Sequence, residues 1–185
     1  AVLWVIRRRQ LPFWPLLDAA TPALALGYGV GRIGCFLVGD DYGRPSDLPW
    51  AIAFPDGLPP TTAGYLRSEF ALTIPPAVAD DQLLRVHPTQ LYETALAFVI
   101  AWIGWRMLRG PRGKQAGRTA LVVFAALAVE RFLVEFVRVK DDRLLAGMTV
   151  AQAISLAMLG LLLALWAGRR KSWMRESPPA RAERA

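Results

Sequence analysis

Apolar positions in this chain fall into four long runs rather than the short alternations of strands. The runs cover about Leu16 to Val38, Leu91 to Leu108, Thr119 to Arg138 and Met148 to Ala167. Each is close to the roughly 20 residues a helix needs to cross a hydrocarbon core. The pattern predicts an all-α, polytopic integral membrane bundle, and residues 1–185 read as one transmembrane domain with no internal repeat. The polar stretch from Gly39 to Pro88 is much the longest of those between runs. Its Phe54-Pro55-Asp56-Gly57, Pro59-Pro60 and Pro75-Pro76 signals predict turns and short extended pieces, with a hairpin flanking Trp50 to Phe54.

Basic residues orient the runs. They cluster at Arg7 to Arg9, at Arg106, Arg109, Arg112, Lys114 and Arg118, and from Arg169 to Arg175. With four crossings all three clusters fall on one side, which the positive-inside rule makes cytoplasmic. The loop 39–88 and the turn from Val139 to Gly147 then lie on the outer face. The tail 169–185, with Pro178-Pro179, is expected to be a disordered cytoplasmic end. Trp102, Trp105, Trp166 and Trp173 sit near run ends, as interfacial anchors do.

Composition agrees, with 54% hydrophobic residues. The net charge of +7 would suit nucleic acid, but the basic residues flank apolar runs instead of forming a soluble basic face, so no nucleic-acid partner is expected. One cysteine, Cys35, and one histidine, His87, exclude an intrachain disulfide and argue against a Cys/His zinc centre. No metal and no cofactor are expected.

Chemistry enters where charge interrupts the runs. Asp18 and several glycines break the first. Arg32 lies in an apolar, glycine-rich stretch followed by Asp40 and Asp41. A charge at bilayer depth costs roughly 2.5–3.5 kcal/mol on insertion scales, so it belongs where it meets a polar cavity, a partner or a ligand. In the third run Arg131, Glu135 and Arg138 follow i, i+4, i+7 spacing and share a helix face. Such a ladder pairs internally and leaves net positive charge for an anionic ligand. A purely structural ion-pair ladder is the competing explanation, and Arg32 tips the balance toward a site. At the mouth of the second run stands His87-Pro88-Thr89-Gln90-Leu91-Tyr92-Glu93, with Pro88 marking a helix start. His87 reads as structural before catalytic, because Glu93, Asp40 and Glu135 offer other proton acceptors. Arginine forks bind phosphate with paired hydrogen bonds, so two membrane arginines suggest a phospholipid head group.

Three segments resemble the prolipoprotein diacylglyceryl transferase family. They are Gly31-Arg32-Ile33-Gly34-Cys35-Phe36-Leu37-Val38-Gly39-Asp40-Asp41-Tyr42-Gly43, then His87 to Glu93, then Arg131-Phe132-Leu133-Val134-Glu135-Phe136-Val137-Arg138, and their order and spacing match over nearly the whole chain. The resemblance implies transfer of the diacylglyceryl group of phosphatidylglycerol to the lipobox cysteine of a prolipoprotein in the bacterial inner membrane. It implies a catalytic set of Arg32, Asp40, Gly43, Arg131 and Glu135, and a substrate-binding set of Arg32, His87, Gln90, Tyr92, Glu93 and Arg138. By similarity Arg32 contacts the head group, Asp40 fills the signature's acidic position and Gly43 permits close backbone approach. The chain departs from the pattern at Cys35, where asparagine is usual, at Val38, where a polar residue is usual, at Asp40, shorter than the usual glutamate, and at Leu127, where many members carry tyrosine. The family's earlier helices, with a histidine-glycine-glycine motif, have no counterpart, so the chain is expected to correspond to a C-terminal part. A non-catalytic, phospholipid-binding relative is the alternative; a channel lined by the same charges is a third class, distinguished by ion flux.

Overall fold

The computed structural model describes residues 2–110, 115–139 and 147–176. Six helices follow in order: α1 (Val2–Arg8), α2 (Phe13–Val38), α3 (Ala63–Phe70), α4 (Thr89–Arg109), α5 (Arg118–Val134) and α6 (Val150–Glu176). Among the described residues there is no strand beyond isolated β-bridges. Three helices are long and apolar enough to cross a membrane: α2, α4, and α6 over Val150–Trp173. The 17 residues of α5 extend about 26 Å at 1.5 Å per residue, and α5 packs on α2, α4 and α6. Leu24, Val30 and Leu37 of α2, Val99 and Trp102 of α4, and Leu161 and Leu163 of α6 turn outward, the surface that lipid covers. The protein is therefore a multi-pass membrane helical bundle, as the apolar runs predict.

Helices α2 and α4 form the most extensive contact, and small residues let them close. A Cβ on Gly29 would lie 2.7 Å from the Phe98 ring, and one on Gly104 would lie 2.7 Å from Val123. Across this seam the Thr94 hydroxyl donates to the Gly29 carbonyl at 3.2 Å.

Asp18 does not break its run. Helix α2 continues through it, and the buried carboxylate accepts from Gly117 N at 2.6 Å and Ala120 N at 2.7 Å. These N–H groups belong to the start of α5, whose own N-cap residue is Gly117, with φ of 88° and no side-chain cap. Asp18 thus supplies from another helix the acceptor that a local Ser, Thr or Asp normally provides.

Several boundaries differ from expectation. The third run stops being helical at Val134, and residues 135–137 form a turn that hands Arg138 to a β-bridge with Gly43. Helix α6 continues to Glu176, so the first part of the supposed tail is ordered. The Arg169 guanidinium lies 4.3 Å from the centre of the Trp14 ring and donates to the Ala116 carbonyl at 2.7 Å. Trp173 is only 3% exposed, packs edge-on to Trp166 and donates to the same carbonyl at 3.1 Å, so it is core at the basic end rather than an interfacial anchor. Trp102 and Trp105 are exposed, as anchors should be. The readings at Arg112 and Lys114, over most of the turn 139–147 and at Pro178-Pro179 lie outside the described residues.

The segment between α2 and α4 is a small cap with its own core of Tyr42, Phe54, Leu66, Val86 and Val139. It contains α3, which the expectation of turns and extended pieces omitted, although Thr62 N-caps it by accepting from Tyr65 N at 3.4 Å. No hairpin flanks Trp50 to Phe54. Ile52 pairs instead with Val86, exchanging bonds of 3.0 and 2.9 Å, while Phe54 and Thr61 close the intervening turn on each other.

Candidate functional site

The charges that interrupt the runs converge where the bundle meets the cap. Arg32 occupies the next-to-last turn-and-a-half of α2 and is 9% exposed. Its Nη1 donates to Asp41 Oδ2 at 2.9 Å, and its Nη2 pairs with Glu93 Oε2. Arg131 on α5 reaches Glu93 Oε1 at 3.2 Å and Glu135 Oε2 at 3.0 Å. Arg138, just past α5, donates through Nη2 to Asp41 Oδ1 at 2.5 Å and lies 3.8 Å from Glu93 Oε1. Three arginines are thereby knitted to three carboxylates, with fully buried Glu93 of α4 at the centre.

This balance corrects one expectation. The Arg131, Glu135, Arg138 ladder alone would leave net positive charge, but Glu93 and Asp41 neutralise the surplus. An anion can enter only by displacing a carboxylate, and Asp41, with its side chain 44% exposed, is the accessible one. Burial works to raise the Asp41 carboxyl, but the Arg32 hydrogen bond and the nearby Arg138 charge outweigh it and hold Asp41 below the usual aspartate range. Asp41 also sits at φ of 57°, a left-handed conformation that aspartate tolerates better than most residues. Its carbonyl is held by the Thr89 hydroxyl at 2.8 Å.

The remaining sequence-selected residues divide by position. Asp40 stays out of the arginine network; its carbonyl accepts from Gln90 Nε2 at 2.5 Å and its Oδ1 is buried without a hydrogen-bond partner. Gln90 is fully buried, so with Thr89 it positions the 40–41 loop. Gly43 is a crossing of backbones. Its N–H donates to the His87 carbonyl at 2.8 Å, and a Cβ there would lie 2.6 Å from the Val137 carbonyl oxygen. His87 and Tyr92 form a separate pair at the edge of the site: His87 Nδ1 lies 3.2 Å from the Tyr92 hydroxyl, which accepts from Trp50 Nε1 at 2.8 Å. Donor atoms of Cys35, Asp40 and Asp41 lie within 4.8 Å of one another, but Arg32 already supplies positive charge there, with Nη1 3.4 Å from the sulfur.

Two participants escaped the sequence reading. Asp41, not Asp40, carries the arginine contacts, and no feature of two adjacent aspartates told them apart. Tyr28 donates to Glu93 Oε1 at 3.1 Å. Its i, i+4 spacing to Arg32 was a usable signal, since it puts both polar groups on one face of an otherwise apolar helix.

A bundle of apolar helices that buries an arginine–carboxylate network beneath an extramembrane cap defines a class: multi-pass membrane proteins with a polar site at one face. The family model for prolipoprotein diacylglyceryl transferase matches residues 1–167. Similar proteins include the phosphatidylglycerol–prolipoprotein diacylglyceryl transferases of Pseudomonas putida, 35% identical over 92% of this chain and 58% of the relative, and of Actinobacillus pleuropneumoniae, 34% identical over 92% and 57%. The chain belongs to the prolipoprotein diacylglyceryl transferase family, and it spans somewhat under three fifths of the length of these relatives. No solved structure matches it.

Proposed function

We propose that the site takes part in moving the diacylglyceryl group of phosphatidylglycerol to the lipobox cysteine of a prolipoprotein, at the outer face of a bacterial inner membrane. The observation that carries this reading is Asp41, whose two oxygens join Arg32 to Arg138. A phosphodiester offers the same pair of acceptors, and arginine forks suit it. In this reading the head-group phosphate replaces Asp41 between Arg32 and Arg138, while Glu93 and Glu135 keep the arginines oriented.

The chemistry explains why arginines are needed. The cysteine sulfur attacks the glyceryl carbon, the S–C bond forms and the carbon–oxygen bond to phosphate breaks. Glycerol 1-phosphate departs carrying one negative charge more than the phosphodiester did. Arg32, Arg131 and Arg138 offset that charge as it develops, in a site largely closed to water. In this reading α5 is the fourth crossing, which brings the basic clusters to the cytoplasm and the cap, with the mouth of the site, to the outside. Gly43, Gln90, His87 and Tyr92 shape that mouth.

The test is lipid transfer by the full-length protein in membranes, with phosphatidylglycerol and a lipobox peptide, read as peptide mass. Wild type should add a diacylglyceryl group, and Arg32→Ala should lower the rate about 10²–10³-fold, as loss of a single charge-stabilising donor does elsewhere. A folded wild type that binds phosphatidylglycerol and never modifies the peptide would refute the reading.

A further inference from the structure

Glu130 precedes Arg131 on α5 and plays no part in the arginine network. It is 4% exposed, its Oε1 is fully buried without a hydrogen-bond partner, and no ion pair among the described residues includes it. A buried carboxyl without partners is rare enough to require an explanation. Glu130 lines a cavity of about 330 Å³ between α5, α6 and α2, together with Tyr28, Leu127, Arg131, Ile154 and Met158. The walls are otherwise almost wholly apolar. Arg131 borders this cavity and also touches Glu93 and Glu135, so one guanidinium joins it to the network.

We propose that Glu130 is the proton acceptor for the thiol in the transfer reaction, an assignment that rests on the function proposed above. The other carboxylates are committed: Asp41 to Arg32 and Arg138, Glu93 to all three arginines and the Tyr28 hydroxyl, Glu135 to Arg131. Taking a proton would cost each of them a charge-assisted bond, whereas Glu130 gives up none. His87 is engaged with Tyr92 at the far edge of the site. The groups whose charge acts on Glu130 are Glu93 from α4, Arg131 of its own helix, Arg32 from α2 and Arg138 beyond α5; α6 presents only Ala151, Ile154, Ser155 and Met158 to the cavity.

The step balances. The S–H proton passes to a Glu130 carboxylate oxygen, the sulfur's electron pair forms the S–C bond, and the pair of the breaking C–O bond leaves with the phosphate. Protonated Glu130 then returns its proton to water as product departs. The cavity volume is about ten times the 30 Å³ that a water molecule occupies in the liquid, enough for a cysteine side chain.

The experiment uses the full-length protein in membranes and measures transfer to a lipobox peptide across pH, with phosphatidylglycerol binding measured in parallel. Glu130→Gln should slow transfer about 10²-fold or more, the usual yield of a positioned base, and remove the rising limb of the pH–rate profile while binding persists. Glu130→Asp should recover part of the rate and the limb. A Glu130→Gln rate within about fivefold of wild type overturns the assignment. So does loss of phosphatidylglycerol binding in parallel with rate, which marks a structural role. Absence of transfer in wild type that still binds phosphatidylglycerol refutes the enzyme reading itself, and the assignment falls with it.

Discussion

Helix α2 buries a charge near each end, and the two ends treat it differently. At the basic end the Asp18 carboxylate accepts from two backbone N–H groups of α5, one on each oxygen. At the cap end Arg32 meets side chains only, one of them the half-exposed Asp41, and its Nε lacks a hydrogen-bond partner. Gln90 Oε1 and Glu135 Oε1, both buried, are likewise without one. The difference separates a staple from a site. Backbone donors are fixed in number and place, so a carboxylate that satisfies them is finished. Side-chain partners can be exchanged for a ligand, and unused hydrogen-bonding capacity means that an exchange has somewhere to go.

Removing the staple should have the largest effect. Asp18→Ala leaves two buried N–H groups without acceptors, each costing about 1–3 kcal/mol, so a loss of about 2–4 kcal/mol is expected in the stability of the bundle. The thermal midpoint in detergent should fall, while phosphatidylglycerol binding per folded molecule stays near wild type. Arg32→Ala should do the reverse. If Asp18→Ala unfolds at the wild-type temperature, or abolishes binding while folded, the two ends are not the distinct devices described above.

How much of this was legible in the sequence depends on the range of the interaction. The α2, α4 and α6 crossings follow from apolar runs, a local property, and Arg32, Arg131, Glu135 and Arg138 announced themselves by their cost in such runs. Asp18 looked like a helix breaker because its partners lie 99 and 102 positions away. The roles of Asp40 and Asp41 depended on the left-handed turn after Gly39, where backbone direction decides which aspartate faces the arginines. Glu93 was placed with the ligand by its motif, but it is the shared counter-ion, a role set by the packing of α4 against α2 and α5. Helix α3 was short, and its stability comes from Leu66 entering the cap core.

A smaller effect concerns the exposed partner. Asp41 is held below its unfolded value, so its contribution is fully present above about pH 4, the ordinary aspartate range, and disappears as pH falls through its lower folded value. Because the side chain is nearly half exposed, that contribution should be less than about 1 kcal/mol. Asp41→Asn should therefore lower the thermal midpoint slightly at pH 7, and the gap should close as both proteins are taken to about pH 3. A gap that stays constant with pH would mean that the two arginine contacts do not stabilise the fold.

The smallest effect should come from Cys35, which stands at the site end of α2 where the family usually has asparagine. Its sulfur lies 3.4 Å from Arg32 Nη1, a weak acceptor for a strong donor. Cys35→Asn offers a better acceptor at that point. Arg32 is already engaged with Asp41 and Glu93, however, so the added bond competes with existing ones and should be worth less than the roughly 1 kcal/mol of an ordinary hydrogen bond. Transfer by the full-length protein should then change by less than about fivefold in either direction. A gain of a hundredfold would show that the amide does more than hold Arg32: it would place asparagine among the groups that act on the leaving phosphate. The site end of α2 would then be incomplete in this chain at one position, while the staple at its other end is complete.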